Sequence, residues 1–165
     1  MIEVERVANN DGVFYYIKGT KILHREDGPA EETISGARCW YIRNKRHRMG
    51  GPAVKWSDGS EEWYYNDFRH REDGPAIIYD NGDKYWYRHG SIHREDGPAV
   101  EWSEGTKEWW VNGKRHRVDG PAIEHSYGDN RWCLNGNILA KEAWFEALTE
   151  EQKVKAFYSE YFIRG

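Results

Sequence analysis

The sequence predicts a mainly β fold: serial 23-residue β-hairpin repeats forming an elongated, twisted antiparallel sheet, with a C-terminal helical cap. Three observations predict it. A heptad of the form HREDGPA starts at His24, His47, His70, His93 and His116, each 23 residues after the one before. The five prolines (29, 52, 75, 98, 121) share one phase of that period, and Gly36, Gly59, Gly82, Gly105 and Gly128 share another. Trp40, Trp63, Trp86, Trp109 and Trp132 hold a third. Fixed phases at such a period are the signature of a repeat array, in which each unit is one supersecondary element.

The elements follow in chain order. Met1 to Val7 supplies an irregular first strand, and Tyr15-Tyr16-Ile17-Lys18-Gly19 leads through a longer loop to His24. The fourth unit, GPAVEWSEGTKEWWVNGKRHRVDG, shows the internal logic. Ala99 to Trp102 alternates as a strand does, Ser103-Glu104-Gly105-Thr106 is a tight turn, and Lys107 to Val111 is the return strand. The equivalent turns Ser57-Asp58-Gly59-Ser60 and Asp80-Asn81-Gly82-Asp83 carry D-G and N-G, strong hairpin signals. Asn112-Gly113 turns out of the return strand into a loop of about nine residues that holds the next heptad.

With Glu104 and Gly105 as the two turn residues, Val100 is predicted to face Trp109, and Trp102 to face Lys107. Side chains alternate across a strand, so Val100, Trp102, Trp109 and Val111 share one face. Val54, Trp56, Trp63, Ile77, Tyr79 and Trp86 extend it into an apolar stripe. The opposite face sets Lys55 against Glu62, Ile78 against Tyr85, and Glu124 against Arg131, with Tyr41, Tyr64, Tyr87 and Trp110 as exposed rings. Glu101 and Glu108 come out directly opposed, a carboxylate pair or two solvated acids. An uncovered stripe of that length exceeds what a monomer normally exposes, so heptad loops or a second chain must cover it.

Cys39 precedes its phased Trp and Cys133 follows its own, which puts them on opposite faces. Four repeats separate them, roughly 38 Å at about 4.8 Å per strand, so both thiols are expected free.

Where a sixth heptad is due, the chain reads Ile138-Leu139-Ala140-Lys141-Glu142-Ala143-Trp144, a helical pattern. Thr149-Glu150-Glu151-Gln152 is a capping box that opens a second helix. Val154, Phe157, Tyr158, Tyr161 and Phe162 then recur on one helical face. Residues 1–136 are therefore the hairpin-repeat region, and 137–165 a helical cap of the same domain or a partner-docking helix.

The chain is polar, with mean hydropathy -0.98, yet 15% aromatic, which suits a thin structure built on large rings. A net charge of -4 and a pI near 6.0 offer no basic field for nucleic acid or an anionic membrane. The N-terminal stretch lacks the charged and apolar regions of a secretory signal, so a cytoplasmic setting is the expectation.

The heptad has two readings. His and Asp three apart, as in His70 and Asp73, have ligand chemistry, and the repeated His and Arg could meet phosphate. The structural reading is stronger: Asp-Gly-Pro fixes a turn through an Asx bond, a permissive Gly and a locked Pro φ. His47-Arg48-Met49-Gly50-Gly51 has lost both acids while keeping Pro52 and Trp56, which a metal ladder would not tolerate. His24, Asp27, Pro29, His70, Asp73, Pro75, His93, Asp96, Pro98, His116, Asp119 and Pro121 are assigned to the loop frame. No catalytic motif, metal set or cofactor site is read, and no enzyme is expected.

The 23-residue period, the hairpin, and turns such as Asn112-Gly113-Lys114-Arg115-His116 resemble MORN-type repeats. That resemblance implies serial hairpins in an elongated sheet, a scaffolding role, and in some members lipid contact. The chain resembles still more the NGKxHREDGPA repeat proteins of bacteriophages, over residues 12–136. This implies a viral origin and a host-cell cytoplasm, and supplies no active site.

The function expected is non-enzymatic: a repeat scaffold that binds or inhibits a host protein, such as a component of antiviral defence. Its expected contacts are Tyr41, Tyr64, Tyr87, Trp110, Phe157, Tyr158 and Tyr161. Self-association through the stripe or tail is the homo-oligomeric variant of this reading. The alternatives are a sponge for a small nucleotide signal, and MORN-like lipid-surface binding.

Overall fold

The computed structural model describes residues 2–162, with side chains as far as residue 159. The chain divides into two compact units, Met1–Gly90 and Ser91–Gly165. Both are serial antiparallel hairpins, and the second ends in helices, as the repeat pattern predicts.

The first unit opens on a regular hairpin. Val4–Asn9 pairs with Gly12–Ile17 over six residues, so the N-terminal strand is not the irregular one expected. The ladder continues through Glu31–Thr33, Arg38–Cys39, Val54–Lys55, Glu61–Glu62, Ile77–Ile78 and Lys84–Tyr85. In the second unit Val100–Glu101, Lys107–Glu108 and Ile123–Glu124 pair in the same manner.

Two kinds of turn alternate along the repeats. In the long-sheet hairpins the Gly59 N–H donates to the Trp56 carbonyl at 3.2 Å, and the Trp56 N–H to the Ser60 carbonyl at 2.9 Å. Only the last of the three loop residues, Gly59, has positive φ (98°). This is a three-residue loop, a type I turn closed by a left-handed glycine. After the return strand comes a second, short hairpin that the sequence reading had as loop. Trp110–Val111 pairs with Lys114–Arg115 around Asn112 (φ 50°) and Gly113 (φ 75°), the type I′ geometry.

The third loop residue shifts the predicted register by one. Val100 pairs with Glu108, and Glu101 with Lys107, so the two acids do not oppose each other. Lys55 pairs with Glu61, Ile78 with Lys84, and Arg131 with Ile123. A slip of one residue turns every side chain to the other face. Glu62 and Glu108 consequently lie on the buried face, in line with Val54, Ile77, Val100 and Ile123.

The Trp stripe is correspondingly broken. Val54, Ile77 and Val100 are 2% exposed, whereas Trp56 and Trp102 stand exposed at the hairpin tips. The phased rings are half-buried under the heptad arginines: Arg48 Cζ lies 3.9 Å from the Trp40 ring centroid, Arg71 4.1 Å from Trp63, and Arg117 3.8 Å from Trp109. Ala30, Ala53, Ala76, Ala99 and Ala122, the last residue of each heptad, are fully buried. Cys39 and Cys133 are free and buried, and burial pushes the Cys39 thiol up to about 11.

Helix α1 (Lys141–Glu146) and helix α2 (Glu150–Phe162) close the second unit. Trp144, 1% exposed, packs with Leu148, Ala156, Val118, Trp132, Leu134 and Leu139, and its indole N–H donates to the Arg117 carbonyl at 2.9 Å. Thr149 and Gln152 exchange the two hydrogen bonds of the capping box.

Candidate functional site

The heptad side chains turn inward on their own loop. In four of the five loops the arginine Nε donates to the Asp two residues on: Arg25 to Asp27 and Arg71 to Asp73 at 2.8 Å, Arg94 to Asp96 at 2.9 Å, Arg117 to Asp119 at 2.7 Å. In the same loops Nη1 donates to the Pro carbonyl four residues on. These arginines hold Asp27, Asp73 and Asp96 below the usual carboxylate range. The glycine before each proline lies under its arginine: a Cβ on Gly28 would meet Arg25 Cζ at 2.7 Å, and one on Gly74 would meet Arg71 Cζ at 3.0 Å.

The histidines join consecutive repeats. Nδ1 of His24, His70, His93 and His116 accepts the backbone N–H of Arg43, His89, Asn112 and Asn135, each 19 residues on, at 3.1–3.3 Å. The acceptor must be a neutral ring. Burial pulls His70 and His116 below their ordinary value, and for His70 the stacked His89 ring adds to the shift. Among the described residues no three His, Cys, Asp or Glu side chains converge to hold a metal.

On the buried face two equivalent carboxylates collect donors. Glu62 accepts from Trp56 Nε1 (2.9 Å), Tyr64 OH (2.8 Å) and Arg69 Nε (3.1 Å). Glu108 accepts from Trp102 Nε1, Trp110 Nε1 and Arg115 Nε. Burial pushes the Glu62 carboxyl up, but hydrogen bonds from Tyr64 and Trp56 and the Arg69 charge more than reverse it. This network accounts for rings expected on the surface. Tyr64 is 5% exposed, Trp110 is half-buried against Glu108 and Arg115, and Tyr41 and Tyr87 are half-buried as well. The one-residue register shift is the cause.

The tail residues lie otherwise. Phe157 and Tyr158 are 60% and 57% exposed, beside Val154 at 55%, while the Tyr161 side chain lies outside the described residues. Helix α2 joins the Trp144 cluster through Ala156, and Val154, Phe157 and Tyr158 of its predicted apolar face stand outside that cluster. Between the helices runs a groove of about 410 Å³, floored by Trp144, Phe145, Ala156 and Phe157 and rimmed by Lys141, Glu142 and Glu146. Tyr65 and Phe68, 46% and 59% exposed on a short hairpin, were missed. Tyr65 follows Tyr64, so alternation with the register corrected would have found it.

Compared with known proteins, the chain matches no family model and no curated relative. No helix among the described residues is long and apolar enough to cross a membrane.

Proposed function

We propose that the protein is a non-catalytic repeat scaffold that binds another protein through its C-terminal helical pair. One observation carries the reading. Val154, Phe157 and Tyr158 stand more than half exposed beside an apolar groove, in a chain whose heptad arginines are paired with an Asp of their own loop in four of the five loops. Aromatic anchors next to a groove are the usual core of a protein interface, and the occupant that fits is a bulky apolar side chain of a partner. The loop arginines that a nucleotide sponge would need are already held by Asp and a Pro carbonyl in four loops, which weighs for the scaffold. The phage resemblance makes a bacterial host protein the partner to seek.

The test is size-exclusion light scattering with bacterial extract, using wild type and Phe157→Glu. The expected result is a 19.5 kDa chain that retains one partner in fixed ratio, with the variant equally helical and partner-free. A wild-type dimer that F157E returns to monomer would make the occupant a second copy and overturn the proposal. So would a partner retained undiminished by F157E.

A further inference from the structure

The second heptad loop is built differently from the other four. It reads His47-Arg48-Met49-Gly50-Gly51, so Gly50 stands where the arginine's carboxylate partner stands elsewhere. Arg48 keeps the rest of the frame: Nη1 donates to the Pro52 carbonyl at 3.2 Å, and the guanidinium sits over Trp40. Among the described residues no carboxylate lies within salt-bridge distance of Arg48, and its Nε has no acceptor. Gly50 has φ 74°, a left-handed angle that none of the sister Asp residues adopts, so the second loop follows its own backbone path and supplies no carboxylate to Arg48. The difference extends to His47, whose buried Nδ1 has no hydrogen-bond partner where its counterparts accept a backbone N–H.

We infer that this loop is a binding site for a single carboxylate carried on an apolar stem. The sister loops are the template: their Asp oxygens show where an acceptor meets the Nε edge of a guanidinium already fixed by a carbonyl and an indole. A pre-positioned guanidinium loses little freedom on binding, which favours a charge-assisted pair. The stem follows from the surroundings. Met49, 78% exposed, replaces the Glu of three sister loops, and with Trp40 and Ile42 it lines a groove of about 460 Å³. Selectivity follows from the facing wall, where Glu26 and Asp27 stand. Arg25 neutralises Asp27, so the groove tolerates one negative charge and repels a polyanion such as phosphate. This site stands independently of the helical pair, and F157E leaves it unchanged.

The experiment follows the Arg48 Nε–H by NMR in the intact protein. The probes are sodium acetate, sodium hexanoate, inorganic phosphate, and a blocked Leu-Asp-Leu peptide. A saturable shift at Arg48 is expected, with hexanoate about tenfold tighter than acetate, the effect of burying roughly two methylenes, and phosphate weakest. Met49→Glu with Gly50→Asp puts the two acids of the sister sequence beside Arg48, so it should abolish the shift, while the thermal midpoint does not rise because Asp at φ 74° is strained. Peptide tighter than hexanoate identifies a protein-borne carboxylate, and the reverse a free small acid; both support the site. No saturation, an equal response at Arg71, phosphate as tight as hexanoate, or a shift that survives in the double variant would overturn it.

Discussion

Arginine at the second place of the heptad makes three contacts that few other side chains could make together. Arg71 lies flat on Trp63, donates Nε to Asp73, and sends Nη1 to the Pro75 carbonyl. Lysine is a point charge on a flexible stem, so Arg71→Lys forfeits the stacking and the fork. Its expected cost is on the order of 1 kcal/mol for the ring contact and the carbonyl bond, plus the loss of the Asp73 pairing. Arg48→Lys should cost less, because Arg48 has the ring and the carbonyl but no carboxylate. Urea melts of the two variants check this; equal midpoints would show that the Asp contributes nothing to the loop. The comparison also decides which heptad positions matter for folding: the arginine braces, the glycine leaves it room, and the histidine ties the loop to the next repeat.

At the scale of the element, the end of the array turns on Trp144. A sixth heptad would place His at 139 and Arg at 140; the chain has Leu139 and Ala140, and α1 follows. The Trp144 indole satisfies the Arg117 carbonyl while its rings fill the space against Val118 and Trp132. Trp144→Phe removes the donor and leaves a gap, and about 2–3 kcal/mol of destabilisation is expected. Hydrogen exchange should rise across Lys141–Phe162 and at the Arg117 loop; unchanged protection there would show that the helices are not anchored by this residue. Much of this element was legible in advance. The loss of the heptad phase announced a first helix, although Ile138 and Leu139, read as its start, form the return strand of a last hairpin with Cys133 and Trp132. Thr149 with Gln152 announced the cap of the second helix. The hairpins were equally legible, because their turn glycines are fixed in phase. The pairing within them was not. A two-residue and a three-residue loop can share the same Asp-Gly letters, and they differ in whether the residue before the glycine is left-handed and in whether the residue before that belongs to the strand or to the loop. That difference put Glu62 among the buried valines and Tyr64 with it, where alternation from the wrong turn had placed an exposed ring. The short hairpin escaped notice for a related reason: its two-residue strands are too brief to show any alternation. The divergence of the second loop was legible from Met49 and Gly50, but its meaning required the geometry of the sister loops.

Repetition makes the whole molecule respond to pH in two stages, since the same protonation event recurs in several loops. His70 and His116 have folded values pulled below 6.5, so the unfolded chain binds protons first as the solution is acidified. Stability from these groups is complete above about pH 6.5 and drains away as pH falls through their folded values. Protonation at Nδ1 also deletes an acceptor for the backbone N–H of His89 or Asn135. The carboxylates act lower. Asp27, Asp73, Asp96 and Glu62 are depressed below 3.8 or 4.5, so their contribution is complete above those ordinary values and is lost only as pH falls beneath them. The expected profile of thermal midpoint against pH is a plateau near neutrality, a first decline beginning close to pH 6.5, and a second below about pH 4.5. His70→Asn with His116→Asn separates the stages, because the amide Oδ1 stands in the place of Nδ1 and can accept the same N–H without titrating. The double variant should flatten the first decline and keep the second. A first decline of undiminished size would assign it to groups other than these two histidines, and the inter-repeat tie would then owe nothing to their neutral state.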